Sequence, residues 1–536
     1  MSSLSNNQQR WLGNRLQAPE QDGEVLQVPP LASVGQLLKD NRQRLALGLT
    51  LGTLGPWQVF AEQARREAIA QAQQYTRTYR DVDFSDRDQA TLFLAGHQPK
   101  LFHPGVWIKN FALSQLAERH RAVAINLVID NDLCGTSAIV IPQRASDASW
   151  QARSIAYDQS TASLPIESAA IVDRDLFRSF PERLQSALTS AVAHPLVIPL
   201  WKTLSKLNLA TCNRYRALAM ARHTLEAQSG LSTWELPISQ LSQTPSFCRF
   251  VADIAARLDE FHLFHNTALA DYRREHRIRS LARPVPPLTT RDSWREMPFW
   301  VYSGDYPTRR RLFVRRHEQH LEWTDHSGWS QKAPLGDMVE SLVRWQKEGL
   351  CIRPRALTTT MYSRLFLSDL FIHGIGGAIY DRVGDTIAAQ FYGTAMPQHI
   401  TLSATFRLPI ELDHCDLPAP QALKSQRRQM WYQPERFVSP GSNDAAVVSL
   451  KSGLLATQPA PRDHRRRSWH RELAEINDRL RKSLVDELRQ LDALYELAVQ
   501  HQQQRATALS REYAFCCFPE ALADVLHQRI NSLLAD

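Results

Sequence analysis

The pattern of apolar and polar positions is most telling between residues 91 and 132. An apolar run from Thr91 to Ala95 breaks at Gly96 into His97, Gln98 and Pro99. Pro104-Gly105 then opens a segment whose apolar positions Val106, Phe111, Leu113, Leu116 and Ala117 predict an amphipathic helix. Val123 to Ile129 is short and apolar, as expected of a strand covered on both faces, and it stops at Asp130-Asn131-Asp132. The unit reads as strand, loop, helix, strand. Open α/β sheets bind ligands outside the carboxyl ends of their strands, so the two polar loops should lie side by side and form a pocket.

The remaining pattern divides the chain. Residues 1–90 predict an N-terminal arm, loosely held to about residue 30, and then helices. Residues 91–145 form the first half of an α/β core. Residues 146–282 are mainly a helical insertion after an irregular stretch at 146–163. Residues 283–350 are β-rich, with short strands at Phe299–Tyr302, Arg311–Arg315 and His320–Trp323. In the second half of the core, 351–410, Ser363 to His373 reads as a helix stopped by Gly374. Ile379, Val383, Ile387 and Phe391 mark another helix, and His399 to Leu408 alternates like a strand with one buried face. Residues 411–468, interrupted by six prolines, predict an extended connection. In 469–536, Leu473, Ile476, Leu480, Leu484, Leu488, Leu491, Tyr495 and Ala498 predict one long helix of coiled-coil character to about Ala508. This helix packs on its own domain or on a second copy as a homodimer. A short terminal helix follows. The expected fold class is α/β, a parallel-sheet core with helical insertions, a small antiparallel β segment and this long helix.

Composition changes the picture little. The 536 residues carry a net charge of +8 from 63 basic and 55 acidic side chains, which permits an anionic ligand without requiring one. The seven scattered cysteines suit a reducing, cytoplasmic setting, and no apolar stretch is long enough to span a bilayer. Membrane association is not expected.

Candidate chemistry concentrates in two regions. Gly96, His97, Gln98, His103, Gly105, Lys109 and Asn110 crowd the first loop and helix start, where N–H groups and the helix dipole favour phosphate or carboxylate. His97 or His103 would contact phosphate. The competing reading is a tight turn whose polar groups satisfy local backbone. Asp130, Asn131 and Asp132 suit a ribose, a substrate amine or magnesium, or equally a turn cluster. In the second region His373, Gly376, Gly377, Tyr380 and Asp381 would close round a ligand, with Arg355, Arg364 and Asp369 nearby, although Asp369 could simply pair with Arg364. No dedicated metal site is expected, since the His262/His265 and His317/His320 pairs lack a third ligand. Arg309 to Arg316 is a dense basic patch, more simply a solvated sheet face than a nucleic-acid surface.

At the motif level the first region resembles the cysteine-adding enzymes of bacillithiol synthesis. The matching positions are Gly96-His97-Gln98-Pro99, Leu101-Phe102, Pro104-Gly105, the acidic cluster Asp130-Asn131-Asp132, and the turn at Gly376-Gly377. Pro104-Gly105 reverses the family's order, the nearby lysine is shifted, and Asn131 stands in place of histidine. The resemblance covers roughly a fifth of the chain. It implies a Rossmann-like core, a coiled coil that mediates dimers, and the joining of an amino-acid carboxyl to an aminosugar amine. His103-Pro-Gly105 also echoes the phosphate-holding motif of class I synthetases; Val448-Ser-Leu-Lys451-Ser452 echoes their lysine loop only poorly.

Three readings follow, the third being a nucleic-acid-binding protein that uses Arg309 to Arg316. The first is a ligase-like enzyme that binds ATP or another nucleotide, with magnesium admitted, and acts on small molecules. The second is a non-catalytic dimeric binding protein. Convergence of His97, His103, Asp130 and His373 on one concave site favours the enzyme; burial and mutual satisfaction of those side chains favours the binding protein.

Overall fold

The computed structural model describes residues 16–45, 49–161, 163–188, 191–207, 213–413, 415–439 and 444–535. The chain forms two compact units. One contains the residues up to Ile141, Arg153–Leu408 and those from Arg511 onward; the other contains Pro142–Ala152 and Pro409–Ser510.

In the larger unit the chain runs through β1 (Val25–Val28), α1 (Val34–Leu45), α2 (Trp57–Arg77), β2 (Asp88–His97), α3 (Pro104–Arg119), β3 (Ala122–Val128), α4 (Arg214–Gln228), β4 (Trp234–Pro237), α5 (Pro245–Ala256) and α6 (Leu258–Glu275). It continues through β5 (Trp294–Tyr302), β6 (Arg310–His317), β7 (His320–Thr324), β8 (Ser330–Pro334), α7 (Met338–Lys347), β9 (Cys351–Pro354), α8 (Ala356–Tyr362), β10 (Leu370–His373), α9 (Ile375–Tyr392) and β11 (Ile400–Ala404).

Six strands form the principal sheet in the order β1-β11-β10-β2-β3-β4. The last five are mutually parallel, and β1 closes the edge antiparallel to β11. Parallel strands are covered on both faces, which is why every residue of β3, β10 and β11 is buried. From β2 the sheet grows outward through β3 and β4 on one side and β10 and β11 on the other. Strand order therefore reverses between β2 and β10. The carboxyl ends of β2, β3 and β10 are adjacent: His97 pairs with Val128, and Ala95 with Ile372.

Asp369 fastens β10 to β2. Its carboxylate accepts from the Leu92 N–H at 2.9 Å and from Arg65 at 3.0 Å, and its own N–H donates to Leu92 O. Arg364, the partner considered from sequence, instead bridges Asp381 and Asp385. A second, antiparallel sheet has the order β8-β7-β6-β5-β9.

Several sequence boundaries shift. Residues 25–28 are an edge strand of the principal sheet rather than loose arm; residues 1–15 lie outside the described residues. Trp234–Pro237, inside the expected helical insertion, is a sheet strand; it is only four residues long and contains Glu235, so it shows no apolar run. The stretch Ser363–His373 is not one helix. The helix begins at Ala356 and ends in a π turn at Ser363–Leu367, and Leu370–His373 is a strand. Ile400–Ala404 is shorter than expected and buried on both faces. Cys351–Pro354 belongs to the antiparallel sheet, not to the second half of the core.

The smaller unit holds α10 (Pro420–Tyr432), α11 (Ala445–Ala456), α12 (Arg466–Lys482) and α13 (Val485–Ala508). The expected long helix is thus broken at Ser483-Leu484. Leu484, Leu488, Leu491, Tyr495 and Ala498 pack on Leu423 and Met430 within the same unit. The supposed extended connection contains α10 and α11 because Pro420 occupies the first turn of its helix, where the missing N–H costs nothing. In the larger unit α14 (Leu522–Ala535) packs on α3.

Gly105 marks the tightest approach, since a Cβ there would overlap the backbone oxygen of Ala404. Gly105→Ala should lower stability by roughly 1–3 kcal/mol through overpacking, read as a fall in the denaturant midpoint at unchanged slope.

Candidate functional site

The carboxyl end of β2 is organised by a buried cation. Lys109, one turn into α3, is 2 % exposed and donates a single hydrogen bond, to Gly96 O at 2.9 Å. Among the described residues no carboxylate lies within ion-pair distance of it. Burial, reinforced by Arg222, lowers its pKa to about 8. The sequence left open that helix α3 aims this lysine at solvent; the helix instead turns it back to the strand end.

The neighbouring histidines are neutral. Burial and the charge of Lys109 lower His97 to about 3; its Nδ1 lies 3.0 Å from Gln98 O and its ring packs edge-on against Phe102. His103 is the N-cap of α3: its Nδ1 accepts from the Gly105 N–H at 3.1 Å, and its Nε2 faces Glu512 at 3.8 Å. Burial depresses its pKa, with Arg511 acting in the same direction. The Ala404 carbonyl and Arg511 lie against Gly105, so the start of α3 is covered by protein instead of open to a phosphate.

His373, at the end of β10, belongs to a buried charge network. Its Nε2 lies 2.9 Å from Asp381, which also accepts from Thr360 and Arg364, while Arg364 reaches Asp385 at 2.6 Å. Burial lowers His373; Arg364 and His373 hold Asp381 far below the usual carboxylate range despite its burial. His373, Asp381 and His399 place three possible metal-ligand atoms within 4.8 Å of one another, a grouping the sequence reading did not include. Arg364 already neutralises that carboxylate, so a cation would have to displace it. Beyond His373, α9 starts at open glycines: a Cβ on Gly374 or Gly376 would meet nothing within 4 Å, whereas one on Gly377 would lie 2.8 Å from His373 Nδ1.

Asp130 is also satisfied by protein. It accepts from the Ser239 N–H at 2.9 Å and from the Ser239 hydroxyl, and burial together with the charge of Glu167 raises its pKa. The next two residues differ. Asn131 and Asp132, with Gln98 and Arg355, line a cavity of about 270 Å³. Gln98 donates to Asp132 at 3.1 Å, and Asn131 donates to Pro354 O at 2.7 Å. The antiparallel sheet supplies two further residues, Trp300 and Arg309. Arg355 lies over the Trp300 ring at 4.0 Å and Arg309 at 4.9 Å. Trp300 is half-buried between the buried Phe299 and Val301 of β5, so its ring leaves the core face, and the unbroken apolar run around it gives no sequence signal.

The other candidates are structural. Asn110 donates to Glu226, which also takes Trp107 and Arg222. Tyr380 is exposed at 44 %. Lys451 is buried in α11 and bound to Tyr432 O and Glu435, so it forms no mobile lysine loop. In the basic patch, Arg310 pairs with Asp325, Arg311 with Glu296 and Arg315 with Glu322, which disperses the charge a nucleic acid would need. Of the two histidine pairs, His265 lines the cavity, and burial lowers it to about 4.

Lys109 gives a testable pH dependence. Its unfolded value is near 10.5 and its folded value about 8, so between these the unfolded chain holds the extra proton. The burial penalty is complete below about pH 8 and is relieved as pH rises to about 10.5. Relative to Lys109→Met, the wild type should gain on the order of 3 kcal/mol across that window, measured by chemical denaturation at each pH.

No protein-family model matches the chain, and no curated protein matches it.

Proposed function

We propose that the protein binds a nucleotide or other phosphorylated small molecule at the carboxyl end of the principal sheet and joins an amino-acid carboxyl to an amine there. The observation carrying this reading is the reversal of strand order between β2 and β10, with open glycines at the start of α9 on one side and a polar cavity at the ends of β2 and β3 on the other. The five parallel strands, with order reversing at β2, support reading the sheet as a Rossmann-like core. On this reading Gly374 and Gly376 let phosphate approach the first turn of α9, and the buried charge of Lys109 adds an attractive field. ATP, as its magnesium complex, would activate the carboxyl with loss of pyrophosphate or of ADP, and the amine would then displace the AMP or phosphate so attached to form the amide. Asp132, half exposed, is the acidic residue at hand for that amine.

A second reading, a non-catalytic binding protein, is favoured by one specific observation. Asp130 and His373 are buried and occupied by protein partners, and His103 serves as a helix cap, so three of the four groups whose convergence would favour an enzyme have structural work.

Titration calorimetry with ATP and magnesium, on wild type and Gly376→Leu, tests the first reading. A side chain at 376 enters open space, so the variant should keep its melting temperature and lose about tenfold or more in affinity. Absence of nucleotide binding by the wild type removes the ligation reading. Binding without nucleotide turnover in the presence of amino acids and aminosugars supports the second.

A further inference from the structure

We infer that the cavity between Trp300, Asn131 and the two arginines is a dedicated site for a small ligand bearing a carboxylate or phosphate. This is the cavity at the ends of β2 and β3 that the proposed function also uses, but the inference needs no nucleotide at α9 and rests on the cavity's own geometry.

Three observations carry it. First, Arg309 and Arg355 both stack on the one indole of Trp300, so two guanidinium groups are presented to the same cavity at fixed positions. A planar guanidinium is suited to oxyanions because its N–H groups form a rigid fork. Second, charge around the cavity is unbalanced. Arg309 takes Asp132 at 3.3 Å, while Arg355 and Arg311 share the single carboxylate of Glu296, at 2.7 and 3.4 Å. Of the charged side chains that line the cavity, Arg309 and Arg355 are cations and Asp132 alone is an anion. Burial lowers the pKa of Arg355, with Arg311 and Arg309 acting in the same sense, and an incoming anion relieves that repulsion. Third, the lining holds an unmet hydrogen-bonding group. Asn131 is 4 % exposed; its Nδ2 is committed to Pro354 O, and its Oδ1 has no partner. Arg309 Nε and Arg355 Nε are likewise buried without acceptors among the described residues. Unmet buried polar atoms are costly, and a ligand that pairs them recovers that cost.

The combination specifies the ligand's chemistry. An oxyanion is held by the guanidinium pair, and an N–H or O–H on the same molecule donates to Asn131 Oδ1. At about 270 Å³ the space suits a small metabolite or one end of a larger one.

The test is titration calorimetry with inorganic phosphate, malonate and hydroxymalonate, with malonamide as the uncharged control. Wild type should bind phosphate or malonate at one site in roughly the millimolar range and should not bind malonamide. Phosphate alone would identify a phosphate ester as the natural ligand class, and malonate alone a carboxylate. Arg309→Gln and Arg355→Lys should each weaken binding about tenfold or more, the latter while keeping charge opposite Glu296. Hydroxymalonate should bind more tightly than malonate; equal affinity would remove Asn131 from the site. If neither anion binds, or if both variants bind like wild type, the inference fails. Should Arg309→Gln not fold, Arg355→Lys decides alone. Nucleotide binding lost in Gly376→Leu but kept in Arg309→Gln separates this cavity from the proposed nucleotide position.

Discussion

Neutralising buried arginine is the constraint on which this fold depends. Arg214, Arg353 and Arg364 are almost wholly enclosed, and Arg222 nearly so. A guanidinium without a partner in such surroundings is prohibitively costly, so each is matched by a carboxylate from elsewhere in the chain. Arg214 takes Asp158, Arg353 takes Glu167 with two hydrogen bonds, Arg222 takes Glu226 and Glu235, and Arg364 takes Asp381 and Asp385. Arg353 with Glu167 joins segments that sequence alone would assign to different regions, while the other pairs close contacts within one. The helical insertion is tied to the first half of the core by them, since Arg222 of α4 meets Glu235 of β4, and Glu235 is shared with Asn126 of β3.

The same constraint sorts functional from structural polar groups. Asp381, Asp369, Glu226 and Asp130 are all buried carboxyl groups, yet each is already occupied by protein donors. What remains on the carboxyl side are charges the fold leaves incompletely matched: Lys109, with only a backbone carbonyl, and Arg309 and Arg355, with a shared deficit of carboxylate. Excess positive charge held in place by packing is what an anionic ligand needs.

Much of this was legible in the chain, for physical reasons that differ by segment. The order β2–α3–β3 was clear because its turns carry glycine and proline, but α3 is not amphipathic as expected: it is buried on nearly every side, and Val106 is not among its buried residues. The principal sheet was only half visible. Leu370–His373 follows a helical apolar run without a glycine or proline to divide them, so strand and helix merge into one apolar stretch. Of the candidate site residues, Gln98, Asn131, Asp132 and Arg355 do meet at one cavity. Trp300 and Arg309 join them through the antiparallel sheet, a long-range placement with no local signature. His103, Asn110 and Asp369 have protein partners, because the residue types that bind ligands are also those that cap helices and bridge strands.

Strand order also dictates when the sheet can be completed. The centre of the sheet, β2, emerges from the ribosome roughly 270 residues before its neighbour β10. At bacterial or eukaryotic elongation speeds that interval lasts on the order of tens of seconds. Throughout it, one side of β2 offers unpaired N–H and C=O groups beside Phe93 and Leu94, an adhesive edge that must be sheltered while the remainder is synthesised. The arrangement that brings two distant halves of the chain together at the centre of the sheet therefore leaves that edge open for much of the chain's own translation.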